Sequence, residues 1–254
     1  MKFFALLVLV LLSAACASSG GRNADGQQQS PVDAQASARI HTELAALYYE
    51  KLQYGVALDE LKIALSMDSR YAPAYGVRGL VHMSLFEDKK AEEDFERSLN
   101  LDSTDSGTRN NYGWFLCQRG REKDAMAQFM EAVKNPLYAT PEKAYLNAGM
   151  CAKKYGKINE AEAFLKKALF FQPKMTEALL GMAELSFAKA DYAGAKSYFL
   201  RLSRNGAELS AGDLLLAARV ERKLGDRNAE ASYKLQLRKR FPDSRETQLM
   251  LSGE

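Results

Sequence analysis

The sequence predicts an all-α solenoid built of six helix-turn-helix units. Three observations predict it. A small residue recurs about every 34 positions: Ala57, Ala91, Ala125, Ala161 and Ala195 are separated by 34, 34, 36 and 34 residues. Around each of these anchors the pattern repeats. A large apolar side chain follows four positions later, as Leu61, Phe95, Phe129, Leu165 and Phe199, and a second small residue precedes by twelve, as Ala45, Gly79, Gly113, Gly149 and Ala183. Helix breakers fall at matching points, with Gly120, Gly156 and Gly225 inside units and Pro173 and Pro242 between them. Such a period marks supersecondary units that cannot bury their apolar faces alone and so stack on their neighbours.

Taken in order, the units run about 38–71, 72–105, 106–139, 142–175, 176–209 and 211–244, inside a repeat domain of residues 36–254. The position seven after the anchor carries Ala64, Ser98, Ala132, Ala168 and Leu202. The 36-residue step comes from an insertion in Asn135-Pro136-Leu137-Tyr138-Ala139-Thr140-Pro141, where two prolines end helices on both sides. The sixth unit keeps Ala218, Gly225 and Pro242, but Glu230 and Lys234 occupy the anchor and large-residue positions. A terminal unit with one wet face departs from the pattern in this way. The spacing and the alternation of small and large residues resemble the tetratricopeptide repeat over residues 38–242. That resemblance implies a right-handed superhelix with a concave inner wall.

Ahead of the repeats lies an export pattern. Lys2 precedes an unbroken apolar run from Phe3 to Leu12, and Ser13, Ala14 and Ala15 then lead to Cys16. The run is too short to span a bilayer core, which takes roughly 20 helical residues. It reads as a cleaved signal over residues 1–15. A cysteine directly after the small residues resembles a bacterial lipobox, although Ser13 stands where leucine is usual. The resemblance implies lipidation at Cys16, and Ala17 rather than aspartate after it implies sorting to the outer membrane, facing the periplasm. An ordinary cleaved signal with a chance cysteine is the other reading. Residues 16–35 are rich in Gly, Ser and Gln without apolar periodicity, so a flexible tether spanning about 20–25 Å is expected.

The totals exclude several functions. The chain is 47% hydrophobic and 26% charged with a formal net charge of +3, and no basic block suggests nucleic acid. No phosphate loop, dinucleotide fingerprint or nucleophile elbow is present. His41 and His82 each lack a second ligand at helical spacing, so they read as packing residues and no metal or cofactor is implied. No catalytic set assembles, which predicts a binding protein rather than an enzyme, and no small-molecule substrate is suggested.

Two groups of residues stand out. Cys117 and Cys151 sit on the first helices of adjacent units, and either a disulfide or two small buried thiols is consistent with the spacing. Groove positions of the first helices carry Val77, Leu80 and Met83, then Asn110, Asn111, Trp114 and Gln118, then Leu146, Asn147 and Met150. An apolar centre with interspersed amides suits a polypeptide whose backbone the amides can bond. Trp114 fits either this groove or the core of its own unit.

Longer stretches carry a second, narrower resemblance. Asn110-Asn111-Tyr112-Gly113-Trp114-Phe115-Leu116-Cys117, Asn135-Pro136-Leu137-Tyr138 and Asn147-Ala148-Gly149-Met150-Cys151 resemble the type IV pilus biogenesis and stability lipoproteins of the PilW (PilF) family, the pilotins. The two cysteines fall where that family places its own pair. The resemblance implies an outer-membrane lipoprotein with the pilus secretin as partner, whose localisation and multimerisation it promotes. The repeats alone imply only a binding scaffold. Other outer-membrane assembly lipoproteins with such repeats, acting on barrel insertion or a secretion system, and peptidoglycan-associated regulatory proteins, are the alternatives.

Overall fold

The structure, a computed structural model, describes residues 31–253; the signal, Cys16 and most of the expected tether lie outside the described residues. Those residues form thirteen helices and no strand. In chain order they are α1 (Pro31–Glu50), α2 (Tyr54–Met67), α3 (Ala72–Ser84), α4 (Asp88–Leu101), α5 (Ser106–Gln118), α6 (Glu122–Ala132), α7 (Pro141–Lys154), α8 (Ile158–Phe171), α9 (Thr176–Ala188), α10 (Tyr192–Arg204), α11 (Ala211–Leu224), α12 (Arg227–Arg240) and α13 (Arg245–Ser252).

The first twelve pair as six hairpins. Each odd helix packs on the even helix that follows it, on the even helix before it and on the next odd helix. The backbones of neighbouring even helices stay further apart, meeting through side chains such as Phe199 of α10 and Tyr233 of α12, whose ring centres are 6.5 Å apart. The odd helices therefore lie closer together than the even ones, which puts them on the inner wall of the curve. Short connections make successive helices antiparallel. All odd helices thus start at one edge of the array and end at the other.

Side-chain volume explains the period. A Cβ added to Gly79, Gly113 or Gly149 would lie 2.9, 2.7 and 2.8 Å from the Phe95 ring, the Phe129 ring and Leu165. The large residue of each second helix thus lies over the glycine of its own unit. It also reaches the next unit: the Phe95 ring sits 5.6 Å from Tyr112 and 5.8 Å from Phe115, and Leu165 would meet a Cβ on Gly181 at 2.8 Å. Phe95, Phe129 and Leu165 are fully buried, and each contributes about 1.5–3 kcal/mol of transfer free energy.

The turn inside each hairpin needs one residue at positive φ. Gly120, Gly156 and Gly225 supply it in units three, four and six, with φ of 87°, 71° and 78°. Leu52, Phe86 and Ala190 hold the same place in units one, two and five at φ of 58–59°, where an L side chain costs roughly 1–2 kcal/mol.

Two features differ from the sequence expectations. Helix α1 begins at Pro31, so the last five residues assigned to the tether are helical; proline's fixed φ and missing N–H suit a first helical position. At the other end the sixth unit is followed by α13, which the 34-residue pattern does not contain. Ser244 starts it by accepting from the Thr247 backbone N–H at 3.1 Å, and Gly253 ends it at φ 89°. Leu249 and Met250 pack on Leu214, Leu215 and Leu237. A helix that covers a terminal unit carries no repeat signature because it has no further unit to dock.

Candidate protein-binding groove

The ten groove positions all fall on inner-wall helices. Val77, Leu80 and Met83 lie on α3, Asn110, Asn111, Trp114 and Gln118 on α5, and Leu146, Asn147 and Met150 on α7. Helix α5 touches both α3 and α7. Nine of the ten are half-buried. Leu80, Met83 and Trp114 rest against the cluster that includes Leu116 and Phe129, so Trp114 belongs partly to the core as well as to the wall. Val77 leans on the first-unit cluster and Leu146 on the cluster of units four and five.

Asn110 differs from the other nine. It is 6% exposed, and its Oδ1 accepts from Asn147 Nδ2 at 3.0 Å while its own Nδ2 points to Asn111 Oδ1 at 3.5 Å. Its side chain links α5 to α7 and orients the two neighbouring amides. Burial between two helices, which the sequence spacing cannot show, removes it from the groove surface. Gln118 Oε1 accepts from Lys154 Nζ at 3.4 Å.

A disulfide joins Cys117 to Cys151, with Cα atoms 6.0 Å apart. It ties α5 to α7 on the side where both cysteines are fully buried. Closing a loop of about this size stabilises a chain by about 4 kcal/mol in the loop-entropy account. The same joint is reinforced by Tyr155, whose hydroxyl donates to the Cys117 carbonyl at 3.3 Å. One unit earlier, the Tyr112 hydroxyl donates to Glu92 Oε1 at 3.0 Å; burial first, and this carboxylate second, push its pKa well above the ordinary tyrosine value. The groove floor is thus stapled across units two to four.

The histidines are occupied. His41 Nδ1 lies 2.6 Å from Glu60 Oε2, and His82 Nδ1 lies 2.5 Å from Glu87 Oε2. Among the described residues no group of three or more His, Cys, Asp or Glu side chains is placed to hold a metal.

One surface escaped the sequence reading. On α1, Ile40, Leu44 and Leu47 are 51%, 37% and 54% exposed. In the units that follow, the same register holds Ala74, Arg78 and Val81, then Thr108, Tyr112 and Phe115, Ala144, Ala148 and Cys151, and Ala178, Met182 and Leu185. All of those but half-exposed Arg78 are buried. Unit one therefore presents the face that its successors bury against a preceding unit. The signal was in the register: three large apolar residues occupy positions that face no preceding hairpin among the described residues.

The architecture is that of a tetratricopeptide-repeat protein, and residues 72–105 and 142–174 match the tetratricopeptide repeat family. The crystal structure of PilW, described as a widely conserved type IV pilus biogenesis factor, superposes with a TM-score of 0.77 at 35% identity, covering 84% of this chain and 98% of that one. The Pseudomonas aeruginosa PilF structure gives a TM-score of 0.79 at 27% identity over 87% and 99% of the two chains. The type IV pilus assembly protein PilF of Pseudomonas aeruginosa is 28% identical over 233 residues, 92% of this chain and 91% of its own length. The chain belongs to the PilW and PilF family of tetratricopeptide-repeat type IV pilus biogenesis proteins, which are scaffolds and not enzymes.

Proposed function

We propose that this chain is a pilotin: an outer-membrane lipoprotein, anchored through Cys16 and facing the periplasm, that binds the pilus secretin and promotes its outer-membrane localisation and multimerisation. The observation that carries this reading is similarity to PilW and PilF over most of the chain, 84% and 92% of it respectively. The physical mechanism has two parts. Acyl chains at Cys16 hold the protein at the membrane, each buried CH₂ contributing about 0.8 kcal/mol. The inner wall then shelters an apolar segment of an unassembled secretin subunit. Leu80, Met83 and Trp114 offer apolar contact, Asn111 and Asn147 offer amides to its backbone, and the open stripe of Ile40, Leu44 and Leu47 adds a separate apolar surface on the end face of unit one.

The test is a Leu80→Glu variant expressed in cells, with secretin multimers counted in the outer membrane. A charge at this half-buried position is expected to cut multimer yield by tenfold or more while other outer-membrane barrel proteins assemble normally. Wild-type yield from a stably folded variant would remove the groove from the mechanism. Loss of barrel proteins on deleting the gene would favour a general assembly role instead.

A further inference from the structure

A second apolar surface lies away from the groove, on the edge where the odd helices begin. Two positions beyond the buried residue near the end of each even helix, units one, two, three, five and six carry Ser66, Asn100, Lys134, Arg204 and Lys239. Unit four carries Phe170, 80% exposed, followed by Phe171, 51% exposed. The inserted loop just before the same unit holds Leu137 88% exposed. Asn135 Oδ1 accepts from the Leu137 backbone N–H at 2.9 Å, and Asn135 Nδ2 donates to the Thr104 carbonyl at 3.3 Å, so the loop is fixed rather than collapsed onto the core. The Phe171 ring stacks on Tyr145 at 5.8 Å and meets Phe170 edge-on at 5.3 Å. These contacts hold the aromatic pair outward.

The charged residues flanking the patch carry a small positive excess. Lys143, Lys167 and Lys174 are exposed around the patch, with Lys167 Nζ 5.3 Å from the Tyr145 ring centre, against Glu142 and Glu177. Lys134, beside the inserted loop, pairs with Glu131 at 2.7 Å. Exposed aromatics with lysines beside them at helix ends match the interface of an anionic bilayer, where aromatic rings sit at headgroup level and each lysine is drawn to the negative surface. Chain direction supplies the second argument. Helix α1 also starts at this edge, and the chain from Cys16 to Pro31 spans at most about 50 Å fully extended. An anchor at Cys16 therefore enters the fold from the side of this edge.

We propose that the edge at the joint of units three and four, with Leu137, and at the end of unit four, with Phe170 and Phe171 beside Lys143, Lys167 and Lys174, docks on the anionic lipid surface of the membrane that holds the anchor, fixing which way the groove faces. This rests on the lipidation at Cys16 proposed above.

The test uses the full lipidated chain reconstituted in phosphatidylethanolamine–phosphatidylglycerol vesicles with brominated acyl chains. Trp114→Phe supplies a silent background, into which Phe170→Trp or Phe86→Trp is placed; Phe86 is 82% exposed on the opposite edge. Flotation with the vesicles reports the anchor, and quenching reports the edge. At least twofold quenching and a blue-shifted emission are expected for Phe170→Trp and neither for Phe86→Trp. Equal signals from the two positions, in a chain that floats, would overturn the docking while leaving the anchor intact. A blue-shifted emission from Phe170→Trp without bromine quenching would also overturn it, making the patch a contact between copies of the chain. A chain that failed to float would take down the anchor and the docking together.

Discussion

The two ends of the solenoid meet the same problem in opposite ways. A stacked array leaves an apolar face open at each terminus unless something covers it. At the C-terminal end α13 lies across α11 and α12, and Leu214 and Leu237 beneath it are fully buried. At the N-terminal end nothing among the described residues covers α1, and Ile40, Leu44 and Leu47 face outward. One end is closed for stability. The other keeps exposed the kind of surface that a partner can cover.

The stapled centre is the reference against which both ends can be judged. Reducing the Cys117–Cys151 disulfide, or replacing both cysteines with serine, is expected to have the largest effect, about 4 kcal/mol by the loop-entropy account. Urea unfolding with and without reductant measures it, and hydrogen exchange should show the loss in units three and four before either end. A change below about 1 kcal/mol would mean that packing alone holds that joint.

A matched pair then compares an interior unit with the open end. Met182 and Leu44 share a register, yet Met182 is 2% exposed and Leu44 37% exposed. Met182→Ala is expected to cost about 3 kcal/mol through the cavity it leaves. Removing α13 by truncation after Ser244 is expected to cost about 2 kcal/mol, as half-buried Leu249 and Met250 leave the cap, and to lower hydrogen-exchange protection in α11 and α12. Leu44→Ala is the smallest effect, within about 0.5 kcal/mol of wild type. Equal costs for Met182→Ala and Leu44→Ala would show that the open end is covered in solution, and the contrast between the termini would disappear.

Much of this was legible in the chain. The anchors Ala57 to Ala195 and the glycines facing Phe95 and Phe129 follow from side-chain volume, and the inserted loop from the 36-residue step and its two prolines, all of which a sequence states directly. The start of α1 at Pro31 was hidden because small and polar residues such as Ala34, Gln35 and Ala36 fit a tether or a helix equally well. The cap α13 was hidden because it obeys no period. The register that exposes Ile40, Leu44 and Leu47 was present in the sequence, but it acquires meaning only once the same positions of later units are seen buried against a neighbour.

By itself the sequence determined the all-α repeat, its six units, the position of its irregular joint and the helices that form its inner wall, because each depends on local volume and period. Tertiary structure decided the rest. It buried Asn110 between α5 and α7 while leaving Asn111 and Asn147 half-exposed, brought Cys117 and Cys151 into bonding distance, and folded α13 over one terminus only. Those outcomes depend on which surfaces meet across the stack, and that geometry arises only when the hairpins pack together.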